Sequence, residues 1–344
     1  MRAALYTRTG PAHDVLSIVE LPRPEPGPGE VRVRIAWSGV NPSDTKARAG
    51  TRSSVLPFPQ ITPHSDGAGV IDAVGAGVSA GRLGQRVWVW NAAWGRAQGT
   101  AAEWVAVPEA QAVPLPAHVD LEVGALLGIP ALTAYHAVAL GGGVAGKRVL
   151  VAGGAGAVGH YAVQMAKLAG AQQIISTVSS AEKSRVAKAA GADVVLNYRE
   201  GELASRVLEA TGGAGVDRII EVDFAANVSE DFTMIASGGD IVVYGSGRPE
   251  VPVPFVPAII KNVNVAFFIV YNLSAADRTR AIDGLTEQLD RGSLLHQIAA
   301  RLPLQRIADA HELVESGQAM GNVIVQVGDT AHATANGGTI HTNP

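Results

Sequence analysis

Over roughly the first 120 residues, short Val-rich runs alternate with turn residues: EVRVRIAW at 30–37, GAGVIDAVG at 67–75 and RVWVWNAAW at 86–94. Alternation at a period of two is the mark of a strand with one buried face, so this stretch predicts a β-rich unit. From Lys147 to Gly245 the pattern changes. The apolar runs RVLVAGG, QQIISTV, DVVLNY, DRIIEV and DIVVYG are separated by AVGHYAVQMAKLAG, AEKSRVAKAAG and a further helical stretch near 201–210. Strands that are apolar throughout, each followed by a helix, predict a parallel, doubly wound sheet covered on both faces.

PRPEPGPGE at 22–30 carries too many prolines and glycines for a helix or a central strand and reads as an extended surface connection. After Gly245 come PVPFVPAIIKN, the apolar run NVNVAFFIVYN, an amphipathic helix through DRTRAIDGLTEQLDRG, and a closing helix and strand in ADAHELVESGQAMGNVIVQVG. NVNVAFFIVYN has the composition of an edge strand of the parallel sheet, an apolar edge that invites a partner. DTAHATANGGTIHTNP, at the end, is small, polar and aperiodic, and a frayed tail is expected at 331–344.

Length favours two domains, because 344 residues exceed the roughly 250–300 at which a single core stops growing. No apolar run reaches the roughly 18 residues that span a bilayer. The first twenty residues lack a basic segment followed by a sustained apolar one, so a cytoplasmic location is expected by default. Cysteine is absent, which removes disulfides, thiolate nucleophiles and every Cys-built zinc site. With 27 basic and 31 acidic residues and no block of like charge, nucleic acid is an unfavoured partner.

Chemistry enters at Val151–Gly159, VAGGAGAVG, where Gly154, Gly156 and Gly159 stand in G-x-G-x-x-G spacing between a strand and a helix. In this reading Gly154 permits the tight turn, Gly156 lets backbone approach a pyrophosphate, and Gly159 brings helix against strand. The N–H groups of Ala157 and Val158 then face the anion. A Gly-rich turn without a ligand is the alternative, and the strand–turn–helix context weighs against it. An enzyme that selects NAD usually ends its second strand on Asp or Glu, which binds the ribose 2′-hydroxyl and repels a 2′-phosphate. Here that strand ends Ser179-Ser180, with Lys183 following and Tyr198 closing the next strand. Hydroxyls and a cation suit a phosphate, so NADPH is the expected cofactor. Lys183 as an ordinary solvated helix residue is the competing reading.

Together with GVNPSDTKARAG at 39–50, PHSDGAGVIDAVG at 63–75, ALTAYHAV at 131–138 and IIEVDFAANVSEDFTMIASGGDIVVYG at 219–245, these residues resemble the zinc-free quinone oxidoreductases. These form the zeta-crystallin-like branch of the medium-chain dehydrogenase/reductase superfamily, and the resemblance spans about residues 1–328. It implies an α/β protein. A GroES-like catalytic domain would comprise 1–124 and 264–330, flanking a Rossmann NADP-binding domain at 125–263, with the nucleotide in the cleft between them. Zinc-dependent relatives carry Cys at the position of Asn41 and a His-Glu pair at Ser65-Asp66. Those ligands are missing here, no metal is expected, and His64 beside Pro63 reads as a loop histidine.

The resemblance places Asn41 and Thr133 near the nicotinamide, and Lys183 and Tyr198 at the 2′-phosphate. It lines the cofactor site further with Gly245 and Ser246, with backbone at 267–270 including Phe268 and Val270, and with Gly321-Asn322. Asn41 before Pro42 has the alternative of simply shaping a turn, and Asp44 of capping the helix that follows. Where the family usually sets aromatics against the quinone, this chain has Lys46 and Arg52, a cationic rim that would favour polar or anionic acceptors if it faces the site. The expected activity is zinc-independent, NADPH-dependent reduction of a small-molecule quinone or related conjugated carbonyl compound by hydride transfer, achieved largely by positioning. The rivals are an NADPH-dependent enone or enal double-bond reductase, and an NADPH-binding protein of structural, crystallin-like, or RNA-binding role. Relatives dimerise through an edge strand like NVNVAFFIVYN, which implies a homodimer.

Overall fold

A computed structural model describes residues 1–51 and 53–328. Arg52 and the 331–344 tail, both singled out above, lie outside the described residues. The chain opens on an antiparallel pair, β1 (Arg2–Leu5) with β2 (Ser17–Glu20). There follow β3 (Glu30–Val40), β4 (Asp66–Val74), β5 (Arg86–Val89), β6 (Trp104–Pro108) and β7 (Ala112–Pro114). β3 pairs antiparallel with both β4 and β6, β4 with β5, and β5 with β7. The V-R-V-R alternation of β3 predicts one wet face, yet Arg32 is buried with Val31, Val33 and Ile35. Its guanidinium is satisfied by Asp72 Oδ1 at 2.8 Å and Glu25 Oε1 at 3.0 Å, which makes the burial tolerable.

The alternating segment forms β8 (Arg148–Val151), β9 (Gln173–Val178), β10 (Val194–Asn197), β11 (Val216–Glu221), β12 (Ile235–Val243) and β13 (Asn264–Phe267). They lie in the order β10-β9-β8-β11-β12-β13, every neighbour parallel. Helices Ala157–Leu168, Ala181–Ala189, Leu203–Ala210 and Phe224–Met234 make the crossovers. Leu150, Ile175, Ile219 and Ile241 of successive strands pack with Phe224 and Phe232 in one buried cluster. Because the strands are parallel, all their C-terminal ends share one edge, and the order reverses direction between β8 and β11, where such sheets bind ligands.

The chain ends through β14 (Ile298–Pro303), the helix Ile307–Glu315 and β15 (Asn322–Gln326), whose Val323 pairs with Val40 of β3. Two units result: 1–128 with 300–317 and the segment from Val323, and 129–299 with 318–322. The division drawn from the sequence at 263/264 therefore falls inside the second unit. β13 adds to β12 as the last strand of the parallel sheet, and the helix Ala275–Asp290 packs on the helix Leu132–Ala139.

Candidate functional site

The strand-to-helix turn after β8 is built around two adjacent glycines, and their roles differ from the sequence reading. Gly153, not Gly154, takes the left-handed conformation, at φ 71°. Gly154 is required for another reason: a Cβ there would sit 2.0 Å from Ser176 Oγ on β9. The motif spacing counts from Gly154, so the turn-former lay one residue upstream. Gly159 does bring helix to turn, since a Cβ there would meet Gly153 O at 2.2 Å. Gly156 caps the helix with extended backbone, and a Cβ there would crowd Gly153 O at 3.2 Å. Ala157 and Val158 follow as its first two residues. Their N–H groups precede the first intrahelical bond, that of His160 to Gly156 O at 3.0 Å.

The turn is stitched in place. Gly153 N–H donates to Thr177 Oγ1 at 3.2 Å, and Gly156 forms a bridge with Gly321. Asn322, next to it, gives both its main-chain N–H and Nδ2 to Gln297 O, at 2.9 and 3.1 Å. The 321–322 segment thus lies against the turn. On the other side, register pairs Asn197 of β10 with Val178 of β9, so Tyr198 and Ser179 leave neighbouring strand ends side by side. Ser180 caps the next helix by accepting from the Lys183 N–H at 3.2 Å. Ser179 and Tyr198 thus follow paired strand ends, Lys183 lies in the first turn of the helix after Ser179, and Tyr198 is half exposed.

Gly245, Ser246 and Phe268 follow β12 and β13 on the same sheet edge. Together with Val243, Arg248 and Phe267 they line a mainly apolar pocket of about 530 Å³. Phe268 N–H is fixed on Val243 O at 3.1 Å, and Gly247 N–H on Asp223 Oδ1 at 2.7 Å. Val270 is buried in the turn beyond. Sequence reasoning passed over Asp223 because it anchors a loop and carries no motif. Glu221 at the end of β11 and Asp231 in the helix that follows are both fully buried, and burial and repulsion from Glu221 push the Asp231 carboxyl up to about 9. A larger cavity, near 1000 Å³, lies at the opposite edge of the sheet, where Lys147 pairs with Asp240, Arg148 with Asp217, and Asp193 accepts from the Ile174 N–H.

In the other proposed positions, Thr133 is buried in the helix Leu132–Ala139, and Lys46 sits half-buried in the helix Pro42–Ala49. Asn41 is buried as that helix's N-cap. Its N–H donates to Asp44 Oδ2 at 2.8 Å, and its Nδ2 donates to Asp66 Oδ2 at 2.8 Å. Asp44 thus acts on the helix start, and burial lifts its carboxyl to about 7 against the opposing pull of the hydrogen bonds it receives from Asn41. His64 lies in the loop before β4, yet its side chain is enclosed. It is fully buried at φ 77°, with Nδ1 2.8 Å from Ser38 Oγ and Nε2 2.9 Å from His311 Nε2. No period or motif in the sequence signals that pair.

Two family models match: the alcohol dehydrogenase GroES-like domain over residues 27–117 and the zinc-binding dehydrogenase over 157–287. Human quinone oxidoreductase is 32% identical over 306 residues, covering 88% of this chain and 90% of that protein. The chain belongs to the quinone oxidoreductases of the medium-chain dehydrogenase/reductase superfamily. Among solved structures, Escherichia coli quinone oxidoreductase complexed with NADPH matches at TM-score 0.84 and 26% identity, covering 95% of this chain and 100% of that one. An NAD-dependent alcohol dehydrogenase matches at 0.87 and 31%, with the same coverage.

The zinc-binding name of one model prompts a test of the donor set. Zinc needs three or four N, S or O donors turned on one point. This quinone oxidoreductase has no cysteine, both ring nitrogens of His64 are engaged, and Asp66 Oδ2 is held by Asn41. No three His, Asp or Glu side chains converge among the described residues. These residues do not fit a zinc ion.

Proposed function

We propose that this protein reduces quinones or related conjugated carbonyl compounds with NADPH and without zinc. The observation that carries the reading is the end of β9. No carboxylate stands there; Ser179 and Tyr198 follow paired strand ends and Lys183 lies in the first turn of the next helix, which supports these three as the donors to a ribose 2′-phosphate. The helix that starts at Ala157-Val158 offers first-turn amides, which precede its first intrahelical bond, and its positive end to a diphosphate, so this part of the chain fits the dinucleotide. Bound NADPH supplies the hydride. The protein's share is to orient the ring with Thr133 and Asn41, to hold the loop at Gly245-Ser246 and the backbone at Phe268–Val270, and to exclude water. The apolar pocket at 243–269 offers room for part of a flat acceptor.

The test is to follow NADPH and NADH oxidation with a panel of quinones and a panel of enones and enals. Faster turnover with NADPH and quinones is expected. Preference for enones points to the double-bond reductase, and nucleotide binding without turnover points to a structural or RNA-binding role. Similarity to a protein named NAD-dependent makes the NADH arm necessary. We further propose a cytoplasmic homodimer joined along β13. Beside that edge strand Phe255, Val256, Ile259, Ile260 and Phe267 leave a cluster of large apolar side chains in water, which supports a covering partner. Light scattering on Ile260→Glu checks it, with a shift from dimer to monomer expected.

A further inference from the structure

The first unit holds a buried polar chain that nucleotide binding does not use. His311 Nε2 lies 2.9 Å from His64 Nε2, His64 Nδ1 2.8 Å from Ser38 Oγ, and Ser38 Oγ 2.7 Å from Thr100 Oγ1. The Thr100 hydroxyl donates to the main-chain carbonyl of Asp66. All five residues are inaccessible to solvent. Five polar groups in a dry interior are tolerated only if their hydrogen bonds are complete, so the direction of each bond can be worked out.

His311 Nδ1 has no partner. A proton there would be a buried donor without an acceptor, so the proton sits on Nε2 and is donated to His64 Nε2. His64 then carries its proton on Nδ1 and donates to Ser38, which donates to Thr100, which donates to Asp66 O. Burial holds His64 down to about 3 and His311 well below the usual range, so both rings are neutral, as this pattern requires. Every bond runs the same way. The chain ends on a carbonyl oxygen, which cannot pass a proton on, so it is a brace and not a relay.

The braced residue has one more task. Asp66 Oδ2 accepts from Asn41 Nδ2 at 2.8 Å, and Gly128 leaves the space its other oxygen needs, since a Cβ there would stand 2.3 Å from Oδ1. Asp44 holds the Asn41 N–H from the other side. We propose that Asp66 is a positioning residue that sets the carboxamide of Asn41, and that His311, His64, Ser38 and Thr100 hold Asp66 in place for this. The proposal rests on the reading of Asn41 as a residue that meets the nicotinamide.

Steady-state kinetics of Asn41→Ala, Asp66→Ala, their double variant and Asp66→Asn provide the first arm. Asp66→Ala is expected to lower kcat at least tenfold while KM for NADPH stays within twofold. Asp66→Asn, whose side-chain oxygen can accept the same bond, should stay within threefold of the parent. The double variant should be no slower than Asn41→Ala alone. Nitrogen-15 NMR without nucleotide provides the second arm, reading the Asn41 side-chain amide identified by its loss in Asn41→Ala. That signal should lose its exchange protection in Asp66→Ala and keep it in Asp66→Asn. Should Asp66→Ala fail to fold, Thr100→Val removes one hydroxyl from the brace and should move the same signal. Additive losses in the double variant, or an unmoved Asn41 signal in folded Asp66→Ala or in Thr100→Val, would overturn the proposal. Absence of quinone turnover in the parent would sink the functional reading instead, while the NMR arm still decides whether Asp66 sets Asn41.

Discussion

His64 makes the protein acid-sensitive in a way that can be isolated. In the native state burial holds the ring at about 3, whereas an unfolded chain returns it to about 6.5. The native ring stays neutral where the unfolded one takes up a proton, so stability is lost as pH falls from about 6.5 towards 3. Between pH 7 and pH 5 the unfolded state gains roughly 1.5 pH units of proton binding. At 1.36 kcal/mol per unit, that removes about 2 kcal/mol. The perturbation is His64→Asn, because Asn tolerates the left-handed backbone at φ 77° and does not titrate. Urea unfolding of both proteins at pH 7 and pH 5 yields two pH-dependent losses, and their difference cancels the opposite contributions of Asp44 and Asp231. The parent should lose about 2 kcal/mol more than the variant. Equal losses would refute the argument that His64 is buried neutral.

Gly154→Ala drives a methyl into Ser176 Oγ, so weaker NADPH binding by tenfold or more and a lower Tm are expected, with partial recovery when Ser176→Gly is added. Lys183→Ala should cost NADPH affinity about 1.5–3 kcal/mol in a fluorescence titration and leave NADH nearly unchanged. Equal effects on both nucleotides would contradict a 2′-phosphate role. Asp231 is raised to about 9, so its contribution to stability is present at low pH and lost as pH rises through that value. Asp231→Asn should therefore be more stable than the parent at pH 8 by chemical denaturation, with the gap closing at pH 5.

The period-two and apolar-run patterns were enough to read the antiparallel and parallel sheets, because each follows from local alternation and burial. The nucleotide turn was legible for the same reason: G-x-G-x-x-G is a local device, and only the glycine that bends the chain was displaced, from Gly154 to Gly153. Ser179, Lys183 and Tyr198 could be grouped because parallel pairing sets strand ends beside one another. What stayed hidden depends on contacts between distant residues. His64 and His311 are 247 positions apart, and Asn41 meets Asp66 across 25, with no spacing rule to announce either. The boundary at 263 came from the resemblance and cuts ahead of β13, although NVNVAFFIVYN reads from its own composition as an edge strand of the parallel sheet, which is where β13 lies.

The pairing of β15 with β3 has a consequence for synthesis. Trp37–Val40 leave the ribosome long before their partners, Val323–Gln326, are made. At about 5–20 residues per second that edge of β3 stays unpaired for tens of seconds, while the parallel sheet, whose strands lie between, can already close. The first unit is therefore the late one, and conditions that slow elongation should expose its open strand to aggregation or chaperone capture before the second unit suffers.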